Sequence, residues 1–378
     1  MLALTAPAPA RPTDDLAALI AETPPGAVLQ LPRDRVFHLS APVNITRSIT
    51  IEGNGARVVA ADGAAVAGAL IRSIGVTGVQ LSNLLVDANV DHSGADYGIW
   101  ITGGEGHRIA AVTIRNTGQA CLYLEDAGGT IEGNRLEGCG RALTIAKGTA
   151  ANDHGIMVAA LTRAVRSVVI RGNTVSGVWR KGITTYARGS GSLSDITIAN
   201  NRVTGCGLGG IYVASAPGAS AQRNITVTGN VVERSYVNFQ IDDTVGLFMT
   251  DNRATLSRDR DGKPGAEGLI LMGVDGATVT GLLVEGSGSN GVLVRNSAHV
   301  RLVAPVIVDA NSGGNAFGAG LHFFNTRDSR AEDVSIVDDR ARPLTTHGVV
   351  ESDGSRGNVV TVRRIDGVAR RLLTVPLR

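Results

Sequence analysis

Aromatic residues are scarce in this chain, at 3% of 378 residues, and only three cysteines are present. No stretch approaches the ~20 consecutive apolar residues of a membrane-spanning helix, and no basic tract suits duplex nucleic acid. With a net charge of +2 and interspersed charges, neither a membrane nor a nucleic acid is expected as a partner. Glycine is abundant instead, with 49 residues. This composition predicts many short strands and tight turns around an aliphatic core.

A phrase of β-forming residues, a small residue, Asn and a further aliphatic residue recurs along the chain. Its copies centre on Asn116, Asn134, Asn173, Asn201, Asn230 and Asn252. Asn173 and Asn201 lie 28 residues apart, and Asn201 and Asn230 lie 29 apart, a period that fits one three-strand coil of a parallel β-helix. Asn tolerates the left-handed backbone region at a sharp bend, and amides stacked on successive coils can form a ladder. Both features are therefore predicted at these positions.

The cysteines follow the same spacing. Cys121, Cys139 and Cys206 each lie five residues after one of these asparagines, and none forms a Cys-x-x-Cys motif. Equal offsets predict equivalent places in successive coils, so we expect three small buried residues in an interior stack, all of them free thiols. A metal or redox role is not expected.

A second phrase, Gly-aliphatic-x-aliphatic, follows about nine or ten residues after each Asn. Examples begin at Gly182, Gly210, Gly268 and Gly291. Alternation along a strand places the aliphatic residues inside and the intervening residues outside. Together the two phrases predict an all-β parallel β-helix solenoid of about ten coils.

The whole chain resembles the pectin-lyase-like superfamily of right-handed β-helix proteins. The matching motifs run from TDDLAALI, GAVLQLP and ITIEGNGARVV to about residue 339. The superfamily includes polysaccharide lyases, glycoside hydrolases, fructotransferases, uronan epimerases and phage tail proteins. The resemblance implies a right-handed coil, a substrate groove on the outer face of the Gly-aliphatic strands, and a secreted or periplasmic protein. Residues 1–12 lack a basic start followed by an apolar run, so no signal peptide is predicted in this chain.

The chain is expected to form one domain. Residues 1–12 predict a disordered Ala/Pro-rich tail, residues 13–340 the β-helix, and residues 341–378 a capping segment at its far end. Thr13, Asp14 and Asp15 could N-cap a short helix over residues 16–21 that covers the first coil, because a solenoid must protect its terminal strand edges.

Alternation along the Gly-aliphatic strands also predicts which side chains reach the groove. Two outward columns contain the candidate substrate-binding residues Trp100, Tyr123, Glu125, Tyr212 and Gln240. An exposed row of aromatic rings suits stacking on sugar rings, although β-propensity alone could account for it. Four long connecting segments, called here approaches, lead into these strands at 88–98, 147–155, 255–267 and 311–319. They should form one wall of the groove and contribute His92. The strand of the coil around 141–160 could begin at Ala142 or at Gly155.

Two reaction classes compete for this groove. β-Elimination at a uronic acid needs a cation on the carboxylate, a base for the C5 proton and a proton donor for the leaving oxygen. The segment 179–188 and the preceding coil supply these types, with catalytic candidates Lys181, Tyr186, Arg188 and His154. Tyr186 is the favoured proton-exchanging residue. An extended uronic-acid-containing glycan is therefore the predicted substrate, and a polysaccharide lyase the predicted enzyme.

Glycosidic hydrolysis instead needs two carboxyl groups about 5–9.5 Å apart. Glu125 and Asp242 share a column but lie at least four coils apart, about 19 Å, so they cannot form a pair. Asp153 and Asp242 remain candidates for a hydrolase, and residues 97–148 loosely resemble the fructotransferases. A non-catalytic glycan-binding or assembly module is the third interpretation. No cofactor is assigned, because acid pairs such as Asp338-Asp339 are too common to indicate Ca²⁺, and homo-oligomerisation is left open.

Overall fold

The computed structural model describes residues 15–64, 66, 68–141 and 153–374. It contains two short helices, α1 (Leu16–Glu22) and α2 (Val90–Ser93), among thirty-eight strands in these ranges. The first nineteen strands are β1 (Val28–Gln30), β2 (Val36–Leu39), β3 (Val43–Ile45), β4 (Thr50–Glu52), β5 (Arg57–Ala60), β6 (Ala69–Ile74), β7 (Gln80–Ser82), β8 (Leu85–Asp87), β9 (Tyr97–Thr102), β10 (His107–Ala110), β11 (Thr113–Arg115), β12 (Leu122–Glu125), β13 (Gly129–Glu132), β14 (Arg135–Glu137), β15 (His154–Ala160), β16 (Ala164–Arg166), β17 (Val169–Arg171), β18 (Thr174–Ser176) and β19 (Lys181–Ala187). The others are β20 (Ser192–Ala199), β21 (Arg202–Thr204), β22 (Gly209–Ser215), β23 (Gln222–Thr228), β24 (Val231–Glu233), β25 (Val237–Asp242), β26 (Thr244–Thr250), β27 (Arg253–Thr255), β28 (Leu269–Met272), β29 (Asp275–Thr280), β30 (Leu283–Glu285), β31 (Val292–Arg295), β32 (Ala298–Val303), β33 (Val306–Val308), β34 (Ala319–Phe324), β35 (Arg330–Val337), β36 (His347–Ser352), β37 (Val359–Asp366) and β38 (Arg370–Thr374).

The strands stack in parallel, each on its counterpart from the preceding coil. One sheet, called here the thirteen-strand sheet, consists of β3, β6, β9, β12, β15, β19, β22, β25, β28, β31, β34, β36 and β38. The remaining twenty-five strands of the described chain form a second sheet along the other sides of the coils. The predicted all-β parallel β-helix is thus confirmed. The thirteen stacked strands exceed the expected number of about ten coils. The additional coils lie at the two ends of the solenoid, in segments that lack the Asn phrase.

The sequence predicts the N-terminal end of the solenoid more closely than its C-terminal end. The predicted helix near the N-terminus is present as α1, where the Asp15 side chain accepts hydrogen bonds from the Ala17 and Ala18 N–H groups at 2.9 and 3.2 Å. Its Leu16 and Ile20 are buried against the first coil. Strands β36, β37 and β38 of the segment 341–378 pair in parallel with the preceding strands, so the coil continues through it. The tail 1–12 lies outside the described residues.

A ladder of buried asparagines runs along the second sheet. The Oδ1 atom of Asn173 accepts from the backbone and side-chain nitrogens of Asn134, both at 2.9 Å, and the pattern repeats through Asn201, Asn230 and Asn252. The predicted ladder is therefore present in the structure. The predicted left-handed conformation was wrong for these five residues, since the residue before each of them has the positive φ instead, as at Gly133 and Gly172. Of the six asparagines, Asn116 alone has a positive φ, of 56°.

The prediction of three free thiols was wrong. Cys121 and Cys139 form a disulfide, with their Cα atoms 5.3 Å apart, and only Cys206 is a buried free thiol. Asn116 follows β11 whereas Asn134 precedes β14, so an equal offset from the two does not lead to the same place in a coil. Cys121 precedes β12 and Cys139 follows β14, one turn later, which brings the two across adjacent coils.

Among the described residues, no helix combines the length and apolar character that crossing a membrane requires.

Candidate functional site

The outer face of the thirteen-strand sheet has the register that the sequence predicts. Strand pairing aligns Trp100 with Tyr123, Tyr123 with Met157, Thr184 with Tyr212, and Tyr212 with Gln240. The parallel column contains Thr102, Glu125, Ala159, Tyr186 and Ala214. The uncertain coil is settled in favour of Gly155, which lies in β15, whereas Ala142 falls outside the described residues. Side chains from different coils therefore meet on this face by stacking.

Three aromatic rings form a platform at the start of this face. The ring centres of Tyr97 and Trp100 lie 5.2 Å apart, those of Tyr97 and Tyr123 5.6 Å, and those of Trp100 and Tyr123 5.8 Å. The expected exposed row is wrong for Tyr123, which is only 3% exposed because it packs among Tyr97, Trp100 and Met157. Trp100 stays partly exposed. The platform can offer an apolar edge to a sugar ring, but not a continuous open row.

Lys181 lies at the centre of the candidate site. It begins β19, is half-buried, and places its Nζ atom 3.1 Å from the centre of the Tyr212 ring on the next strand. Burial, together with the positive charge of Arg180, lowers the pKa of Lys181 to about 7. A substantial share of Lys181 is consequently neutral at physiological pH and can accept a proton.

Asp242 lies behind Tyr212 at the end of β25, buried at 3% exposure. Burial raises the pKa of Asp242 to about 6, although the Gln240 side chain donates a 2.7 Å hydrogen bond to its Oδ2 atom and the nearby Tyr212 hydroxyl also favours the charged form. Its Oδ1 atom is buried and accepts no hydrogen bond of standard geometry. Burial and the Asp242 charge raise the pKa of Tyr212, so the phenol keeps its proton.

His154 forms the third part of the cluster, on the strand before Lys181. It is buried, and its Nδ1 atom lies 2.9 Å from the Thr184 hydroxyl oxygen. Burial holds the pKa of His154 well below its usual value, with smaller contributions from Lys181 and Arg180, so the imidazole is neutral. Asp153 precedes it, also buried, and its carbonyl oxygen accepts the Arg180 N–H at 3.2 Å. Arg180 and Lys181 thus lie beside His154.

Other candidates lie at the edges of this cluster. Tyr186 is partly buried against a hydrophobic cluster that contains Tyr97, Tyr123 and Met157. Arg188 is exposed beyond the end of β19. His92 is exposed on α2, in the approach to β9. Glu125 lies on β12, four strands before Asp242, so the predicted separation of about 19 Å stands.

The wall beside the cluster contains a contact that the sequence analysis missed. The guanidinium carbon of Arg260 lies 3.4 Å from the centre of the Trp179 ring, although the two residues belong to coils three turns apart. The segment 256–266 makes this possible, because a bridge between Arg258 and Pro264 closes it as a hairpin that reaches back along the wall. The length of this approach was the available signal. Residues 142–152 of another long approach lie outside the described residues.

The carboxyl groups do not favour a two-acid mechanism. Asp243, next to Asp242, is exposed in a turn with a φ of 45° rather than directed into the groove. Asp153 and Asp242 lie three strands apart and at opposite ends of their strands, so more than about 14 Å separates them. Within the described ranges, no three acidic, histidine or cysteine side chains are placed to hold a metal ion together.

Comparison with known proteins identifies the family. The family model for the right-handed β-helix region matches residues 72–261, half of the chain. The chain belongs to the right-handed β-helix family. No curated protein sequence matches it significantly.

Solved structures show the same fold at low identity. The A-module of the mannuronan C-5 epimerase AlgE4 of Azotobacter vinelandii is 16% identical with a TM-score of 0.52, over 92% of this chain and 88% of the other. The periplasmic alginate epimerase AlgG is 14% identical with a TM-score of 0.54, over 95% and 88%. The surface protein and adhesin PfbA of Streptococcus pneumoniae is 11% identical with a TM-score of 0.60, over 92% and 94%. These similarities bear on the fold alone.

Proposed function

We propose that this protein is an enzyme that binds a uronic-acid-containing glycan across the thirteen-strand sheet and cleaves it by β-elimination. The observation that supports this most is the placement of Lys181, a half-buried lysine with its pKa lowered to about 7, between Tyr212 and neutral His154. A neutral amine on a groove floor is a suitable base for a carbon acid. A surface that only binds a glycan does not require a neutral amine.

The proposed reaction assigns a role to each group. Lys181 Nζ takes the C5 proton, the electron pair forms the C4–C5 double bond, the C4–O bond breaks, and a tyrosine protonates the leaving oxygen. Tyr212, which keeps its proton and contacts Lys181, suits this role, and Tyr186 remains the sequence-based candidate for it. Arg180, whose charge acts on both Lys181 and His154, would pair with the uronate carboxylate.

Epimerisation at C5 is the second candidate, because two of the structural neighbours are a mannuronan C-5 epimerase and an alginate epimerase. It shares the first step with elimination. The two reactions part afterwards, when C5 either regains a proton from the opposite face or the C4–O bond breaks. Hydrolysis is less well supported, since Asp243, the neighbour of Asp242, is exposed in a turn, and Glu125 and Asp153 lie three or more strands away.

A substrate panel tests the proposal. The protein would be incubated with polymannuronate, polyguluronate, polygalacturonate and, as controls, neutral fructans. An increase in absorbance near 235 nm with a uronan supports elimination. A changed ratio of C5 epimers without that absorbance supports epimerisation, and new reducing ends on a fructan without either would overturn the proposal in favour of hydrolysis.

A secreted or periplasmic location is part of the proposal. The Cys121–Cys139 disulfide supports it, since such bonds persist in oxidising compartments. A polysaccharide substrate would also be encountered outside the cytoplasm. Fractionation of cells that produce the protein, with thiol trapping of the fractions, would test it; a reduced protein confined to the cytoplasm would contradict it.

A further inference from the structure

Two buried hydrogen-bond donors lack partners on the outer face of the thirteen-strand sheet. Arg72 on β6 and Trp100 on β9 stand side by side in register, and the guanidinium carbon lies 5.2 Å from the centre of the indole ring. Arg72 Nε and Trp100 Nε1 are both inaccessible to solvent and make no hydrogen bond. Two such atoms at adjacent positions are a local feature that the folding of the coil does not explain.

The chemistry of these donors limits what could satisfy them. A guanidinium and an indole N–H can only donate, so their partner must present acceptor oxygens. Leaving buried donors unmet costs free energy, and a rotation of the partly exposed Arg72 and Trp100 side chains toward the groove would let the oxygens of a ligand recover it. Among the described residues no carboxylate forms an ion pair with Arg72, so its positive charge also favours an anionic ligand. A sugar carboxylate meets both demands.

The position of the pair connects it with the proposed reaction site. Arg72, Trp100, Tyr123 and Met157 form one unbroken column, and Thr184 is the next member, on the same strand as Lys181. Strands β9 and β19 are three steps apart, about 14 Å. A glycan lying along the solenoid axis could therefore occupy both places at once, with one sugar ring against the Tyr97–Trp100–Tyr123 platform.

We propose that Arg72 and Trp100 form a binding subsite for a carboxylate-bearing sugar several units away from the one that reacts. The identity of the glycan at this subsite rests on the proposed function. The preference for a charged sugar, in contrast, can be measured by binding alone. The subsite makes the groove selective for a polyanion over a neutral chain of the same shape. The coil period was the signal that could have found it, because Arg72 lies 28 residues before Trp100.

Binding measurements by calorimetry test the subsite without relying on turnover. The probes are hexamannuronate, hexagalacturonate and, as a neutral counterpart, mannohexaose. Arg72→Gln removes the charge and keeps a donor, and Trp100→Phe removes the indole N–H and keeps a ring. Arg223→Gln, at an exposed position of β23, is the matched control. Circular dichroism melting of each variant shows whether it folds.

Wild-type protein should bind at least one hexauronate, and Arg72→Gln should weaken that binding by roughly ten- to a hundredfold, as expected for a charge-assisted hydrogen bond. Trp100→Phe should weaken it several-fold, Arg223→Gln should leave it unchanged, and mannohexaose should be insensitive to Arg72. A folded Arg72→Gln that binds like wild type overturns the subsite, as does an equal loss for the charged and neutral hexamers.

The reaction and the subsite can fail separately. If Arg72→Gln weakens hexauronate binding but no uronan is cleaved or epimerised, the subsite stands and the proposed function fails. If wild-type protein turns over a uronan, and Arg72→Gln changes neither the KM for that uronan nor the affinity for the hexauronate, the reaction stands and the subsite is overturned.

Discussion

Strand β19 carries two very different sets of side chains on its two faces. Ile183 points inward, fully buried, and aligns with Ile156 before it and Ile211 after it. Lys181 and Tyr186 point outward, and their neighbours in the columns change identity at every coil. The inner face repeats because every coil must present the same apolar layer to the next. The outer face is free to vary, so chemistry can be placed there without loss of the fold.

The largest expected effect on the outer face comes from Lys181→Arg. Arginine keeps the positive charge but cannot release its proton in a protein, so it cannot act as a base. Turnover of the uronan should fall by roughly 10²–10⁴-fold while the melting temperature hardly changes. Lys263→Arg, at an exposed loop position, is the matched control and should retain full activity. Retained turnover in Lys181→Arg would remove Lys181 from the mechanism.

On the inner face, Ile183→Ala should lower the free energy of unfolding by about 2–5 kcal/mol, because it leaves a cavity in a packed column. Arg188→Ala, at an exposed position just beyond the end of the same strand, should change it by less than about 0.5 kcal/mol. Denaturant titration of both variants measures the contrast. Equal losses would mean that the two faces are not energetically distinct.

The two tyrosines sharpen the comparison within the outer face. If Tyr212 protonates the leaving oxygen, Tyr212→Phe should reduce kcat by roughly 10²–10⁴-fold with little change in KM, and Tyr186→Phe should affect kcat less. If Tyr186 is the proton donor, as the sequence predicted, the order should be reversed. Steady-state kinetics of both variants decide between them, and near-full activity in both would exclude a tyrosine from proton transfer.

The pH dependence follows from the lowered pKa of Lys181. Because the base must be neutral, kcat/KM should rise with pH and level off above about 7, with activity lost on the acidic side. The charge of Asp242 raises the pKa of Lys181, so Asp242→Asn should shift this limb to lower pH. A profile that does not move, or that moves to higher pH, would contradict the assignment.

The smallest effect concerns the cysteines. Denatured, unreduced protein should react with one thiol reagent per chain, from Cys206, and reduced protein with three. Burial also raises the pKa of Cys206, so native protein should react slowly. Mass spectrometry after alkylation counts the labels. Three labels without reductant would restore the original prediction of free thiols.

The fold and the strand register of the candidate site could be predicted from the sequence because both follow from periodicity. Trp100 and Tyr123 stack as expected, since an aliphatic-x-aliphatic pattern marks the strand in each coil and alternation along it decides which side chain faces outward. The disulfide could not be derived, because Asn116 and Asn134 belong to different turns that look alike in sequence. Nor could the Lys181–Tyr212 contact or the Arg260–Trp179 contact, which depend on side-chain conformations and on the path of a long loop.

The central claim, that Lys181 removes the C5 proton of a bound uronate, has a direct test in isotope exchange. Hexauronates would be incubated with the protein in D₂O and the C5 position followed by NMR and mass spectrometry. Wild-type protein should incorporate deuterium at C5 or lose the C5 hydrogen with formation of the unsaturated product, and Lys181→Arg should do neither. No loss of the C5 hydrogen from any uronate with wild-type protein, or equal loss with Lys181→Arg, would contradict the account.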